Sequence, residues 1–261
     1  MRKSAIFIAA ALVTALALTG CSGGTSGTGG EHNTITAGKL TVCSDIPYKP
    51  FEYEDASAPT GYTGFDIDLM TAIAKQLGLE LVVIVSDFDA LQSGMALAAG
   101  QCDVGASAMT ITDDRKAHID FSDPYYDSLQ SLLVSVESGI SDLTMLAGKR
   151  IGVQTGTTGE KFAKENAPSD SAIVSFTDDG AMWLALQARQ VDALLQDIPI
   201  NMDHAETDPA YKVVQQWQTD EQYGFAMTKD KNPALRDAIN SALAAVRASG
   251  EYDTIYNKYF G

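Results

Sequence analysis

The stretch from Ser107 to Arg115 carries side chains suited to binding a small carboxylate. It follows an apolar, strand-like run and ends on an arginine. A guanidinium matches a carboxylate through two parallel hydrogen bonds, and the hydroxyls of Ser107 and Thr110 are possible donors. Thr112 is a candidate N-cap for a short helical turn that would fix the direction of Arg115. The alternative is an arginine on a capped surface turn with no ligand.

Other predicted strand ends carry polar or aromatic side chains as well. Ligands of open α/β sheets bind beyond the carboxyl ends of the strands, so we expect these side chains to converge. A free amino acid needs a cation for its carboxylate and an anion for its ammonium, for which Asp197 is the candidate. Gly156 permits a tight turn, and a helix beginning after it would present unpaired N–H groups to an anion. The resulting set of candidate ligand-binding residues is Asp45, Tyr48, Phe51, Phe88, Ser107, Thr110, Arg115, Gln154, Thr157, Thr158 and Asp197.

Several of these candidates have structural alternatives, and other classes of function are weakly supported. Phe51 and Phe88 taken alone are more often core residues, and Asp197 alone is more often a cap or a surface acid. The sequence lacks Cys/His metal-ligand spacing, a nucleophile elbow and a phosphate loop, so we expect no enzyme, metal or cofactor. A formal net charge of −16 excludes nucleic-acid binding, which needs a basic face.

Short apolar runs alternate with segments of helical period, which is typical of parallel sheets covered by helices, the α/β class. The pattern restarts at Lys149, so we predict two lobes, residues 35–126 plus 224–261 and residues 127–223. Segments 129–136 and 223–228 are the candidate crossings between the lobes. Strands are predicted at 40–44, 80–85, 103–108, 129–136, 150–153, 173–176, 191–195 and 223–228, and helices at 65–77, 90–99, 160–165, 181–189, 234–248 and 252–259.

The N-terminus has the pattern of a targeting signal. Two basic residues precede an apolar run that is short for a transmembrane helix, and small residues end the run before Cys21. This ending resembles the bacterial lipobox, in which the cysteine is lipidated, and the alternative is an ordinary secretory signal with a chance cysteine. We predict a lipoprotein signal peptide at 1–20 and a flexible leash at 21–34. The protein would then be extracytoplasmic and attached to the cell membrane only through its lipid.

Cys43 and Cys102 are the remaining cysteines. Outside the cytoplasm such a pair favours a disulfide. If Asp45 is level with Ser107 on adjacent strands, however, the cysteines are about three residues out of register, or roughly 10 Å apart. The sequence therefore leaves this disulfide open.

Further motifs carry a family resemblance. The run Gly64-Phe65-Asp66-Ile67-Asp68-Leu69 resembles the signature of the family 3 extracellular solute-binding proteins, the receptors of polar amino-acid ABC importers. Segments 45–51, 86–91, 107–126 and 156–158 resemble the family's pocket segments. Gln196 and Asp197 resemble the position of its ammonium-binding aspartate, which adds Gln196 to the candidate residues.

The resemblance covers residues 39–261 and implies the two-lobed type II periplasmic-binding-protein fold. In that fold each lobe is a mostly parallel sheet flanked by helices, and the ligand cleft between the lobes closes by hinge motion. The resemblance also implies that the chain captures a free polar amino acid and delivers it to an ABC permease. We expect a monomer.

The identity of the amino acid rests on the residues that differ among relatives. Ala108 and Gln154 depart from binders of basic amino acids, some of which carry a serine at the position of Ala108, while Gln154 and Gln196 depart from glutamine binders. Asp45 and the lack of a second obvious pocket cation argue against acidic ligands, so we predict a basic or amide side chain, with basic ahead. The alternatives are a dehydratase on the same fold, or an amino-acid-sensing ectodomain, which would need a transmembrane helix after the body.

Overall fold

The computed structural model describes residues 32–261. The predicted signal peptide, Cys21 and most of the predicted leash lie outside this range. Within it, the side-chain amide of Asn232 donates to the carbonyls of His32 and Asn33 at 3.1 and 3.2 Å, so the end of the predicted leash contacts the body. No helix in residues 32–261 has the length and apolarity needed to cross a membrane.

Strands and helices alternate along the described chain. The strands are β1 (Lys39–Ser44), β2 (Tyr53–Glu54), β3 (Tyr62–Thr63), β4 (Glu80–Val85), β5 (Val104–Gly105), β6 (Ile119–Phe121), β7 (Tyr126–Ser135), β8 (Arg150–Gln154), β9 (Ala172–Phe176), β10 (Ala193–Asp197), β11 (Tyr211–Tyr223) and β12 (Ala226–Thr228). The helices are α1 (Phe65–Gln76), α2 (Phe88–Gln92), α3 (Met95–Ala98), α4 (Asp113–Lys116), α5 (Thr158–Asn166), α6 (Asp179–Gln187), α7 (Ile198–Thr207), α8 (Pro233–Ala248) and α9 (Glu251–Phe260), and two 3-10 turns occupy Val136–Ser138 and Leu143–Leu146.

Two five-stranded sheets form the framework of the molecule. The first has the strand order β4-β1-β5-β12-β6, and the second has the order β11-β7-β10-β8-β9. In the first sheet β12 is antiparallel to both of its neighbours, and in the second sheet β7 is antiparallel to both of its neighbours. The other four strands of each sheet share one direction, so each sheet is mostly parallel, as predicted.

The chain passes between the two sheets at two adjacent places. It leaves the first sheet after β6 and enters the second at β7, and it returns from β11 to β12 through Gly224 and Phe225. Strands β7 and β11 pair along most of their length, with Tyr126 opposite Tyr223 at the crossing. The two connections therefore lie side by side, as a hinge requires.

Helix α1 illustrates how the sequence determines a local structure. Phe65, Leu69 and Ile73 recur at helical spacing within the helix predicted at 65–77, and all three are fully buried. Gly64 precedes the helix with a φ of 125°, and a Cβ there would lie 2.1 Å from the carbonyl oxygen of Phe51. Only glycine allows the chain to approach so closely, and this contact fixes the start of the helix.

Several predicted elements are wrong in extent. The helix predicted at 90–99 is two helices, α2 and α3, because Gly94 between them adopts a left-handed conformation with φ 77°. The strand predicted at 103–108 ends at Gly105, because the following residues form the turn that carries Ser107 and Ala108. Helix α7 and most of β11 were not predicted, since β11 is rich in glutamine and Pro199 stands near the start of α7.

The structure joins Cys43 and Cys102 in a disulfide, with their Cα atoms 5.7 Å apart. The objection from strand register assumed that Cys102 belongs to the strand. Cys43 is indeed opposite Gly105 in the sheet, but β5 begins only at Val104. Cys102 lies on the loop before β5, where the chain is free to turn back toward Cys43.

Candidate functional site

A cavity lined by residues of both sheets and of the loops that follow their strands lies between the two sheets. Ten of the twelve candidate residues line it, together with Ala108, which the sequence had not singled out as a contact. The lining residues are Asp45, Tyr48, Phe88, Ser107, Ala108, Thr110, Arg115, Gln154, Thr157, Thr158 and Asp197. Binding roles for these residues stay predictions.

Arg115 is held in a fixed direction inside this cavity. Its backbone N–H donates to the hydroxyl of Thr112 at 3.2 Å, which confirms the predicted cap. The guanidinium donates to the carbonyls of Thr110 and Gly156 at 2.7 and 3.0 Å, and its carbon lies 5.1 Å from the centre of the Phe88 ring.

Two of the five guanidinium N–H groups of Arg115 are used by these carbonyls, so three are left for a ligand carboxylate. Burial lowers the pKa of Arg115 to about 10, which leaves the group charged at neutral pH. Arg115 is only 5% exposed, so it does not lie on a surface turn, and its role in binding a ligand stays a prediction.

Two buried carboxyls accept hydrogen bonds from the turn after β5. The hydroxyl of Ser107 donates to Glu52 at 2.7 Å, and the N–H of Ala108 donates to Asp66 at 2.9 Å. Burial raises the pKa of Glu52 well above its usual range and that of Asp66 to about 7. In this structure the hydroxyl hydrogen of Ser107 points to Glu52, so the predicted role of Ser107 as a donor to a ligand stays a prediction.

One end of the cavity is acidic. Burial, as the largest cause, and the nearby carboxyls of Asp178, Asp87 and Asp179 together raise the pKa of Asp45 to about 7. The side-chain amide of Gln154 donates to Asp45 at 2.5 Å, which opposes these effects. Gln154 ends strand β8 of the second sheet and Asp45 follows β1 of the first, so this hydrogen bond joins the two sides of the cleft.

A second buried carboxyl, Asp197, ends strand β10. It accepts hydrogen bonds from the hydroxyl of Tyr223 and from the side-chain amide of Gln130. Burial and the charge of Glu221 raise the pKa of Asp197 to about 7, while these hydrogen bonds and Arg115 lower it. Its side chain makes no cap hydrogen bond to α7, which it precedes. An ammonium group would place a second cation, besides Arg115, near this carboxyl and would favour its ionised form.

Helix α5 begins at the cavity. Gly156 has a φ of 78°, and a Cβ there would lie 2.9 Å from a carboxylate oxygen of Asp89 across the cleft. Thr157 caps the helix, since its hydroxyl accepts from the N–H of Glu160 at 3.0 Å and donates to the carbonyl of Gln154 at 2.8 Å. The first N–H groups of α5 have no intrahelical acceptor and are suited to an anion.

Two candidate residues, Phe51 and Gln196, lie outside the cavity lining. Phe51 is fully buried among other aromatic rings and supports Tyr48, whose ring centre is 6.4 Å away. Gln196 precedes Asp197 on β10, and successive residues of a strand point to opposite faces. Its amide accordingly donates to Asp179 and Asn201 at 2.8 and 3.1 Å behind the cavity.

Sequence reasoning missed the groups that orient the lining residues. Glu221, Gln130, Glu52 and Asp66 are buried polar residues with hydrogen bonds to the site. Glu221 was detectable in principle, because it stands two positions before Tyr223 and residues at this spacing share one face of a strand. Asp66 belongs to the run that carries the family resemblance, whereas Glu52 and Gln130 stand in no distinguishing pattern.

Two mostly parallel sheets, a double crossing and a cavity between them that is lined mostly by polar residues define a two-lobed binding protein. The chain belongs to the bacterial extracellular solute-binding proteins of family 3, whose family model matches residues 40–261. The predicted type II periplasmic-binding-protein fold is thereby confirmed, since the similar solved structures share it.

Individual relatives match nearly the whole chain. A probable histidine-binding protein of Campylobacter jejuni is 34% identical over 258 residues, which cover 97% of this chain and 98% of that protein. The arginine-binding extracellular protein ArtP of Bacillus subtilis is 33% identical over 264 residues, which cover 100% and 98%. A solved structure of the ancestral amino-acid-binding protein AncCDT-1, a precursor of cyclohexadienyl dehydratase, has 35% identity and a TM-score of 0.78, covering 86% of this chain and 96% of that one.

Proposed function

We propose that this protein captures a free amino acid with a basic side chain in the cavity between its lobes and delivers it to an ABC importer. Arg115 would bind the α-carboxylate, together with the first N–H groups of α5. Asp197 would bind the α-ammonium. Both groups are common to all amino acids, so these contacts define the class of ligand but do not select one member.

The acidic end of the cavity is our reason for proposing a ligand with a basic side chain. Asp45 is buried there, and the charged neighbours that affect its pKa most are three further aspartates. A guanidinium, imidazolium or ammonium group would supply the missing cation. The names of the relatives agree with this choice, since one is called arginine-binding and another histidine-binding. An amide side chain such as that of glutamine would gain hydrogen bonds but no charge pairing, and ranks second.

A dehydratase is the second candidate function, favoured by the similarity to AncCDT-1 and by two cavity carboxyls with pKa values of about 7. Such carboxyls are suited to proton transfer near neutral pH. The cavity lining offers a prephenate-type acid only one cation, Arg115, which makes this function the weaker candidate. Incubation with such an acid, followed by analysis of the products, distinguishes the two functions.

A thermal-shift panel with free amino acids tests the proposed function. A ligand that binds only the folded state raises the midpoint of unfolding in proportion to the logarithm of its concentration. We expect arginine, lysine or histidine to give the largest shift, with glutamine behind them. A largest shift with glutamate would contradict the proposal, and so would the absence of a shift with every amino acid.

We further propose lobe limits of 35–126 plus 224–261 and 127–223, and attachment of a monomer to the cell membrane through a lipid on Cys21. The double crossing beside Gly224 supports the lobe limits. Metabolic labelling with a fatty-acid analogue, compared between the natural chain and a Cys21→Ala variant, tests the anchor. Label that persists in the variant would contradict it.

A further inference from the structure

Glu221 is a buried carboxyl behind the cavity that no predicted role uses. Its Oε2 accepts hydrogen bonds from the hydroxyls of Thr110 and Thr158, at 2.7 and 2.8 Å. Its Oε1 accepts from the side-chain amide of Gln130 at 3.0 Å. Thr110 follows strand β5 of the first sheet and Thr158 begins helix α5 beside the second, so Glu221 joins the two sides of the cleft. Both threonines line the cavity, whereas Glu221 does not.

The hydrogen bonds of Glu221 determine what the two threonines offer a ligand. An ionised carboxylate only accepts hydrogen bonds, and a hydroxyl has a single hydrogen to donate. Both hydroxyl hydrogens are therefore committed to Glu221. The hydroxyl of Thr158 also accepts from the side-chain amide of Gln130 at 3.4 Å, and the other lone pairs of the two hydroxyls are what remains for the cavity. Lone pairs accept from an N–H donor and repel a carboxylate. The donor role that the sequence suggested for Thr110 stays a prediction, and in this structure its hydroxyl hydrogen points to Glu221.

Strand β11 holds Glu221 in this position by an irregularity. The pairing of β11 with β7 shifts register between Trp217 and Glu221, and Asp220 has a φ of 53°. A bulge of this kind redirects a side chain. Two residues further on, Tyr223 donates to Asp197, and Gln130 donates to both Asp197 and Glu221. The two carboxyls thus belong to one hydrogen-bonded group.

We infer that Glu221 is a positioning residue that makes the hydroxyls of Thr110 and Thr158 acceptors for the α-ammonium of the ligand. With Asp197 they form the ammonium end of the site, and the α-carboxylate is left to Arg115 and the N–H groups of α5. Glu221 acts through the threonines and touches no ligand atom. The inference rests on the proposed function, in which a free amino acid occupies the cavity.

Calorimetric titration of a Glu221→Gln variant with two ligands tests this role. The ligands are L-arginine and 5-guanidinopentanoate, which is arginine without its α-amino group. The variant should bind L-arginine about tenfold to a hundredfold more weakly, the range of a lost hydrogen bond to a charged group. Its affinity for 5-guanidinopentanoate should stay within about twofold of the natural chain's. Equal losses for both ligands would overturn the inference, because they would indicate a general structural effect.

A second test is a comparison of multiple variants and needs only L-arginine as the ligand. In a background carrying Thr110→Val and Thr158→Val, the Glu221→Gln change should add less than about twofold to the loss, since Glu221 acts through these hydroxyls. A full additional loss would overturn the inference. The matched control is Glu54→Gln, which removes one negative charge from an exposed position. If the natural chain binds no amino acid, the proposed function fails. If Glu221→Gln binds L-arginine as tightly as the natural chain does, this inference alone is wrong.

Discussion

Replacement of Asp45 by asparagine should separate basic from amide ligands. Burial and neighbouring acids raise the pKa of Asp45 from 3.8 to about 7, so ionised Asp45 is disfavoured in the empty cavity by up to about 4 kcal/mol. A cationic side chain recovers much of this free energy on binding, and a neutral one does not. At pH 8, where Asp45 is ionised, Asp45→Asn should therefore weaken arginine binding by about 2–4 kcal/mol, roughly 30- to 1000-fold. Glutamine binding should change by less than about fivefold.

Isothermal titration calorimetry with arginine and glutamine measures both changes. Asp87→Asn is the matched control, because Asp87 is exposed, lies near Asp45 and is outside the cavity lining. It should leave both affinities nearly unchanged. Unchanged arginine binding by Asp45→Asn would refute the reasoning, and so would equal losses for arginine and glutamine.

Three other predictions follow from the contacts of the site and from the disulfide. Arg115→Ala and Asp197→Ala should each abolish most amino-acid binding, at a cost of about 2–5 kcal/mol measured by calorimetry, while circular dichroism shows a folded chain. The ligand-free protein should lose stability between about pH 4 and pH 7, because the folded pKa values of Asp45 and Asp197 lie above the unfolded value of 3.8. Urea unfolding at pH 5 and pH 8 measures this loss. Replacing Cys43 and Cys102 by serine should lower the free energy of unfolding by up to about 4 kcal/mol, the chain-entropy value for a loop of this length, with a sequence separation of 59.

The sign of the pH effect follows from proton counting. Between the unfolded and folded pKa values the folded chain binds more protons than the unfolded chain, so the free energy of unfolding falls as pH rises. The contribution is complete below about pH 4 and is lost as pH passes 7. Higher stability at pH 8 than at pH 5 would contradict the assignment. A saturating cationic ligand should reduce the difference, because it stabilises the ionised carboxylates.

Elements with a clear periodic pattern were predictable from the sequence. The stripe of Phe65, Leu69 and Ile73 located α1, and the β-branched run at 80–85 located β4 with its observed bounds. Pairing between segments that are far apart in the sequence was harder to predict. β11 carries many polar residues because one of its faces is exposed, so its pattern resembles that of a loop. The disulfide depended on where β5 begins, which the sequence does not specify.

The residues that line the site were easier to predict than the buried residues that hold them in place through hydrogen bonds. Strand ends expose polar residues at one edge of a sheet, and this rule identified Asp45 and Gln154, while the chemistry of a guanidinium identified Arg115. Glu221 and Glu52 act from behind the lining, through the hydroxyls of Thr110 and Ser107. Such partners come from distant parts of the chain and become neighbours only after folding. For the same reason, the sequence could not predict to which group a hydroxyl donates its hydrogen.

A crystal structure of the protein with L-arginine is the most direct test of the account. It should show one arginine in the cavity, with its α-carboxylate on the guanidinium of Arg115, its α-ammonium on Asp197 and its side-chain guanidinium at Asp45. An arginine bound in the opposite direction, or outside this cavity, would contradict the account.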